Sequence, residues 1–329
     1  MKKIYIQDFK THIPSNFESS TDISLSSGLQ KDVVENKLGI IKKPIENNMS
    51  LSELASKSVL ELMRSLGIKG KDVDFLISAG SDFKDRYVWT MAPKLADLAG
   101  LRDAFAFDLS SQCTGSLIAL DVTKSLIVSG RGKKGIVSVA TKQSHIVSYD
   151  DHSSTFMYDF SDGSAAVLVS SQKGKYEILE SSFISDGSFS DVVFAPFGDL
   201  YSSNKNEWSY KVEVNEIEGW RERMGEVSKK NFLKVIKESL QRSTLEYTDI
   251  SYLAFLHTKR SFHRELLESL QLDESQSIYL DNYGHMQGVD PFLSLQLAER
   301  ERLVHKGDIV VLVSAGTGWT WGATVVRAT

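Results

Sequence analysis

The chain alternates apolar runs of strand length with stretches whose apolar residues recur at helical spacing. Residues 3–6 form a short strand candidate. Leu51–Leu66 (LSELASKSVLELMRSL) has the 3.6-residue period of a helix, with Ser50 as N-cap, Glu53 completing a capping box and Gly67 as the stop. Residues 73–79 (VDFLISA) predict a buried strand, 89–98 a short helix and 104–109 (AFAFDL) another strand. Residues 114–128 (TGSLIALDVTKSLIV) are a strongly apolar helix closed by Gly130, and 135–140 and 165–170 are strands.

The second half repeats this plan. Helices are predicted over 229–241, 262–272 and 290–302, and strands over 252–256, 278–280, 309–313 and 323–327, the last two flanking a Gly-rich turn. Strand–helix alternation implies an α/β protein with a largely parallel sheet covered on both faces. Two such passes divide the chain into related halves, 1–172 and 173–329, although only the pattern repeats, not the residues. Segment 181–225 is aromatic and polar without a period. It reads equally as a wall of a substrate tunnel or as a surface excursion.

Composition narrows the function. A chain of 329 residues exceeds what one ordinary core needs. A net charge of -5 argues against generic binding to a nucleic-acid backbone. A single cysteine excludes an intramolecular disulfide and suits a reducing compartment. No apolar run has bilayer-spanning length, and the start MKKIYIQDFK lacks the apolar core of a signal peptide. The cytoplasm is the simplest location, with no membrane partner.

That cysteine, Cys113, lies in DLSSQCTGS, where a strand ends and a helix begins. A thiol at a helix N-terminus is favoured as thiolate, the nucleophilic form, and nearby backbone N–H groups can stabilise an oxyanion. The alternative is an inert buried cysteine packing as a small apolar residue. His257 ends the strand YLAFL, and His285 lies in NYGHMQG ahead of a helix. Both fall at carboxyl ends of predicted strands, where open α/β sheets place their sites. Each histidine alone is more often structural; a cysteine and two histidines at strand ends form a candidate catalytic set. Asp150, Asp151 and His152, near His145, lack a metal-ligand geometry, so no metal is expected. GTGWTWG does not lead from a strand into a helix and is no dinucleotide fingerprint, so no cofactor is expected.

QCTGS at Cys113, FSDGSAAVLVS at 160–170, LHTKR at His257, YGHMQG at His285 and SAGTGWTWGATVVR at 314–327 are similar to the successive landmarks of β-ketoacyl-acyl carrier protein synthase III. The ordered set spans nearly the whole chain and is weakest over 181–225. The resemblance implies the five-layered thiolase fold of two fused similar halves, and a homodimer. It makes Cys113 the acylated nucleophile and His257 the histidine that stabilises the thioester enolate. It also makes the backbone N–H groups of Cys113 and Thr317 the oxyanion hole, Thr317 replacing the middle of three glycines. The third catalytic position, asparagine in this family, is His285, which resembles the Cys-His-His set of the elongating ketosynthases. The tryptophan that stacks on the coenzyme A adenine aligns with Val33, ahead of the segment 37–40.

The function these features imply is acyl transfer. Cys113 accepts an acyl group from a thioester and passes it to a malonyl-type thioester by decarboxylative Claisen condensation. Two alternatives stand beside it: transfer to an amine or alcohol, and a non-catalytic partner subunit. The donor is an acyl carrier protein or an acyl-CoA thioester. The basic residues Lys259, Arg260 and Arg264 are candidates for docking an acidic carrier.

Overall fold

The computed structural model describes residues 2–80, 84–86, 88–194, 212–215 and 218–329. The first half runs β1 (Tyr5–His12), β2 (Asn16–Ser19), α1 (Ser20–Ser27), β3 (Lys42–Ile45), α2 (Leu51–Leu66), β4 (Phe75–Gly80), α3 (Met91–Leu98), β5 (Phe105–Ser110), α4 (Gly115–Val128), β6 (Lys134–Lys142) and β7 (Asp162–Ser170). The second runs β8 (Tyr176–Ser185), β9 (Val193–Phe194), β10 (Glu213–Val214), α5 (Trp220–Arg242), β11 (Ile250–Phe255), α6 (Arg260–Leu270), α7 (Asp290–Arg300), β12 (Ile309–Gly316) and β13 (Thr320–Ala328). The bounds of α2 match expectation because its end signals are strong: the Ser50–Glu53 capping box forms, and Gly67 takes a left-handed φ of 63°.

Nine strands hydrogen-bond in the order β11-β12-β13-β8-β1-β7-β6-β4-β5. The two halves meet where β1 pairs with β8 through only Tyr5–Glu177 and Ile6–Tyr176. Outward from this junction the halves follow the same course, β1-β7-β6-β4 matching β8-β13-β12-β11. The expected, largely parallel sheet is in fact mixed. β4 is parallel to β5 and β6, and β11 to β12, while β6–β7, β1–β7, β12–β13 and β13–β8 are antiparallel. Parallel neighbours need a crossover helix. β12 and β13 are joined by a three-residue turn and β6 and β7 by 3-10 turns, so each pair runs antiparallel. Residues 278–280, expected as a strand, join no ladder.

Alternation along the strands builds the layers. In the first half, Ile77, Val137, Val139, Ala165 and Val167 face α4 and α7, whereas Leu76, Ile136, Ala166 and Leu168 face α2 and α3. In the second half, Tyr252, Ala254, Val310 and Leu312 face the same central helices, whereas Leu253, Phe255, Val311 and Val313 face α5 and α6. The result is five layers, helix–sheet–helix–sheet–helix, with α4 and α7 in the middle. Segment 181–225 is more than a surface excursion: Phe189, Val192 and Trp220 are buried in the core of the second half. No helix among the described residues is long and apolar enough to cross a membrane.

Candidate active site

The central helices bring the chemistry together. After β5, Gln112 adopts a left-handed φ of 48° and turns the chain sharply into α4. A non-glycine residue there is strained, a cost found where a site dictates the backbone. The turn presents Cys113 buried at the N-terminal end of α4. Ser314 Oγ donates to the Cys113 carbonyl at 2.8 Å, and Thr114 Oγ1 to the Thr320 carbonyl at 2.8 Å, pinning the nucleophile turn to β12 and β13. A Cβ at Gly316 would lie 2.8 Å from the Cys113 amide nitrogen, so only glycine lets β12 approach this closely. Thr317 follows in the turn between β12 and β13. The left-handed positions of that turn are Gly318 and Trp319, with φ of 87° and 94°, so threonine meets no φ penalty where the family has glycine.

His285 lies on the sulfur, its Nε2 3.2 Å from Cys113 Sγ. Its Nδ1 is 2.6 Å from Asp290 Oδ2. Asp290 is wholly buried and also accepts the backbone N–H of His257 at 2.9 Å and of Met286 at 2.7 Å. A buried carboxylate with three donors is compensated, and it fixes the ring of His285. Burial alone would depress this imidazole. The sulfur of Cys113 in front and the carboxylate of Asp290 behind outweigh burial and hold His285 well above the ordinary histidine range. The arrangement is a Cys–His–Asp triad: a nucleophile, a base that takes its proton at Nε2, and a carboxylate that orients the base.

The ring of His257 has its own partners. Its Nδ1 is 2.7 Å from Asp159 Oδ2 and its Nε2 3.2 Å from the Gly39 carbonyl. Both ring nitrogens therefore face protein acceptors, and the ring packs 5.1 Å from that of Tyr279. Asp159 Oδ1 is buried with no hydrogen-bond partner. Lys43, completely buried, donates to the Tyr158 carbonyl at 2.8 Å beside Glu18 and so supports the turn that carries Asp159.

Sequence reasoning picked out Cys113, His257 and His285 but missed both aspartates. Asp290 reads as an ordinary acidic first residue of a helix, ahead of Pro291. Its position five residues after His285 was the only available signal. Asp159 gave none, as its partner is 98 residues away.

The basic residues proposed for docking are less free than their sequence suggests. Arg260 pairs with Asp281 at 2.6 Å and stacks on Tyr279, and Arg264 pairs with Glu274 at 2.9 Å. Lys259 is exposed at the start of α6. Val33 is half-buried in a π-helical turn, Val33–Leu38, that leads to Gly39. His145 Nε2 lies 2.8 Å from the Glu46 carbonyl, and Asp151 caps the turn at Ser153.

Fold and site together define a cysteine-dependent acyltransferase of the thiolase type. Residues 107–187 match the family described as 3-oxoacyl-(acyl-carrier-protein) synthase III, and residues 240–328 match its C-terminal part. The β-ketoacyl-(acyl-carrier-protein) synthase III of Campylobacter fetus is 26% identical over 333 residues, spanning 99% of both chains. That of Streptococcus agalactiae is 29% identical over 335 residues, spanning 98% of both. The crystal structure of the Pseudomonas aeruginosa synthase III is similar with a TM-score of 0.89 at 19% identity, over 99% of this chain and 98% of that one. The chain belongs to the 3-oxoacyl-(acyl-carrier-protein) synthase III family. It is a condensing-type acyltransferase that works through an acyl-cysteine.

Proposed function

We propose that the acyl-cysteine forms on Cys113, that His285 handles its proton, and that the acyl group passes to a malonyl-type thioester in fatty acid or polyketide assembly. The observation that carries this is the contact of His285 Nε2 with Cys113 Sγ at 3.2 Å, backed by Asp290. The proton of Cys113 moves to Nε2, and the thiolate attacks the thioester carbonyl. Negative charge collects on the carbonyl oxygen, which the backbone N–H groups of Cys113 and Thr317 receive. The tetrahedral adduct collapses, the C–S bond to the donor breaks, and the departing thiolate takes the proton from His285. In the second half-reaction the malonyl thioester loses carbon dioxide. Its enolate attacks the acyl carbonyl, a C–C bond forms, and Cys113 leaves as thiolate.

A second reading has its own support, the engagement of both His257 nitrogens by Asp159 and Gly39. Condensation of the Cys-His-His kind draws on two imidazoles at the reacting oxygen, and here one is engaged elsewhere. Transfer to an alcohol or amine needs a single base, which the His285–Asp290 pair supplies.

For the donor, an acyl group on a carrier protein suits the site better than one on coenzyme A. Val33 offers no aromatic face to an adenine ring, and Trp220 is buried in the core; Trp208 lies outside the described residues. Exposed Lys259 remains as a docking charge, while Arg264, also exposed, is shared with Glu274. The halves 1–172 and 173–329 are proposed to divide between β7 and β8, where the strand order repeats. The cytoplasm is the proposed location.

One experiment separates these readings. Cys113 is loaded with the same acyl group from carrier protein and from coenzyme A, and the adduct is followed by mass spectrometry. The adduct is then chased with malonyl thioester and, separately, with simple alcohols and amines. Faster carrier loading and stoichiometric carbon dioxide release are expected. Discharge only to the heteroatom acceptors, without carbon dioxide, would establish the second reading, and failure of Cys113 to load would defeat both.

A further inference from the structure

A second polar site lies away from the sulfur, between α6 and the segment that follows it. Arg260, His263, Arg264, Glu274, Ser277 and Tyr279 line a cavity of about 10 Å³, open at its mouth. That is room for one oxygen-sized atom. Two of the lining side chains are nearly inaccessible, His263 at 4% and Ser277 at 3% exposure. Neither ring nitrogen of His263 has a hydrogen-bond partner, and neither has the hydroxyl of Ser277. Buried polar atoms without partners are rare in native proteins and costly. Two side chains with such atoms line one cavity, which indicates that something with matching chemistry enters it.

The rim identifies that chemistry. Two guanidinium groups, Arg260 and Arg264, line the cavity against a single lining carboxylate, Glu274, which is held by Arg264 at 2.9 Å. Arg260 is paired with Asp281 outside the lining. The groups on offer are an imidazole N–H, a hydroxyl and the forked N–H groups of two arginines, a set that suits oxygen acceptors on a negative group. Burial pushes His263 down to about 4, with His257, Arg260 and Arg264 acting in the same direction and Glu274 against it. The ring is therefore a neutral donor at physiological pH, and it carries no charge to satisfy by itself.

We propose that this cleft is an oxyanion site, in which one oxygen of a phosphate or carboxylate group reaches His263 and Ser277 while the rest of the group lies between Arg260 and Arg264. Its occupant touches the catalytic region through one ring. Tyr279 packs at 5.3 Å from His263 and at 5.1 Å from His257, and its hydroxyl donates to the Thr258 carbonyl at 2.7 Å.

The test uses the full chain with isotopically labelled histidine. The imidazole resonances of His263 are followed by NMR while inorganic phosphate, or separately acetate, is added at constant ionic strength, with chloride as control. Saturable movement of the His263 signals is expected with phosphate, acetate or both, and none with chloride; which anion acts distinguishes a phosphate group from a carboxylate. The protonation midpoint of His263 should rise when the anion is bound. Ser277→Ala and Arg264→Gln should each weaken binding about tenfold, the scale of one charge-assisted hydrogen bond. Signals that ignore both anions, leaving the cavity to water, would overturn the proposal, as would undiminished binding in both variants.

Discussion

Asp290 accepts the ring N–H of His285 and the backbone N–H groups of His257 and Met286 from within a layer closed to solvent. Its charge adds to that of the Cys113 sulfur in holding His285 above the ordinary histidine range, so its neutralisation has a defined signature. In Asp290→Asn, the alkylation of Cys113 by iodoacetamide should slow about tenfold at neutral pH and its pH profile should move to higher pH, roughly one pKa unit per 1.4 kcal/mol lost. Unchanged reactivity and profile would remove Asp290 from the triad. Stability moves with the same group. A histidine whose folded value is raised contributes stability that is complete below its unfolded value, near 6.5, and fades as pH climbs through the raised value. Wild-type melting temperature should therefore fall on the alkaline side more steeply than that of the variant. At this scale the nucleophile and both imidazoles could be read from short motifs. Which imidazole touches sulfur could not, since that depends on contacts between residues far apart in the chain.

At the scale of elements, the approach of the turn between β12 and β13 to the start of α4 rests on one missing side chain. A Cβ at residue 316 would fall 2.8 Å from the Cys113 nitrogen, against backbone rather than a flexible tip. Gly316→Ala should lower acyl loading of Cys113 about a hundredfold, the usual effect of losing one oxyanion donor, while circular dichroism stays native. Loading within a few-fold of wild type would show that this turn does not shape the oxyanion hole. Helices with strong end signals were legible here, α2 to the residue. The small elements before residue 50 were not: β2, α1 and β3 are short and weakly patterned, and they are placed by the pairing of β2 with β3 and by the small cluster of Ile23, Val34, Ile40 and Tyr158. Strand direction was misjudged for a similar reason. Apolar runs reveal that a strand is buried, whereas its orientation is fixed by what connects it to its neighbour.

At the scale of the whole molecule, the sheet ends on β5, whose six residues are all at least partly exposed. Phe105 is 67% exposed and packs its ring against Phe107 at 5.2 Å. An open, aromatic edge strand invites pairing with another chain. We predict that this chain is a second copy, giving a homodimer joined edge to edge at β5. Light scattering at micromolar concentration should give twice the monomer mass, and Phe105→Glu should shift it toward monomer without loss of helix content. A wild-type monomer would contradict the assembly. The same sheet has a consequence for how the protein is made. Tyr5 of β1 pairs with Ser170 of β7, Cys113 waits for His285, 172 residues later, and its carbonyl waits for Ser314, 201 residues later. On a ribosome adding about 5–20 residues per second, the first strand emerges without a neighbour for roughly ten seconds or more, a period in which chaperones have an edge to protect. The thiol spends about as long without its base. A half-made chain therefore lacks the base that activates Cys113 toward passing thioesters, and the appearance of enhanced Cys113 reactivity in a refolding experiment becomes a clock for the docking of His285.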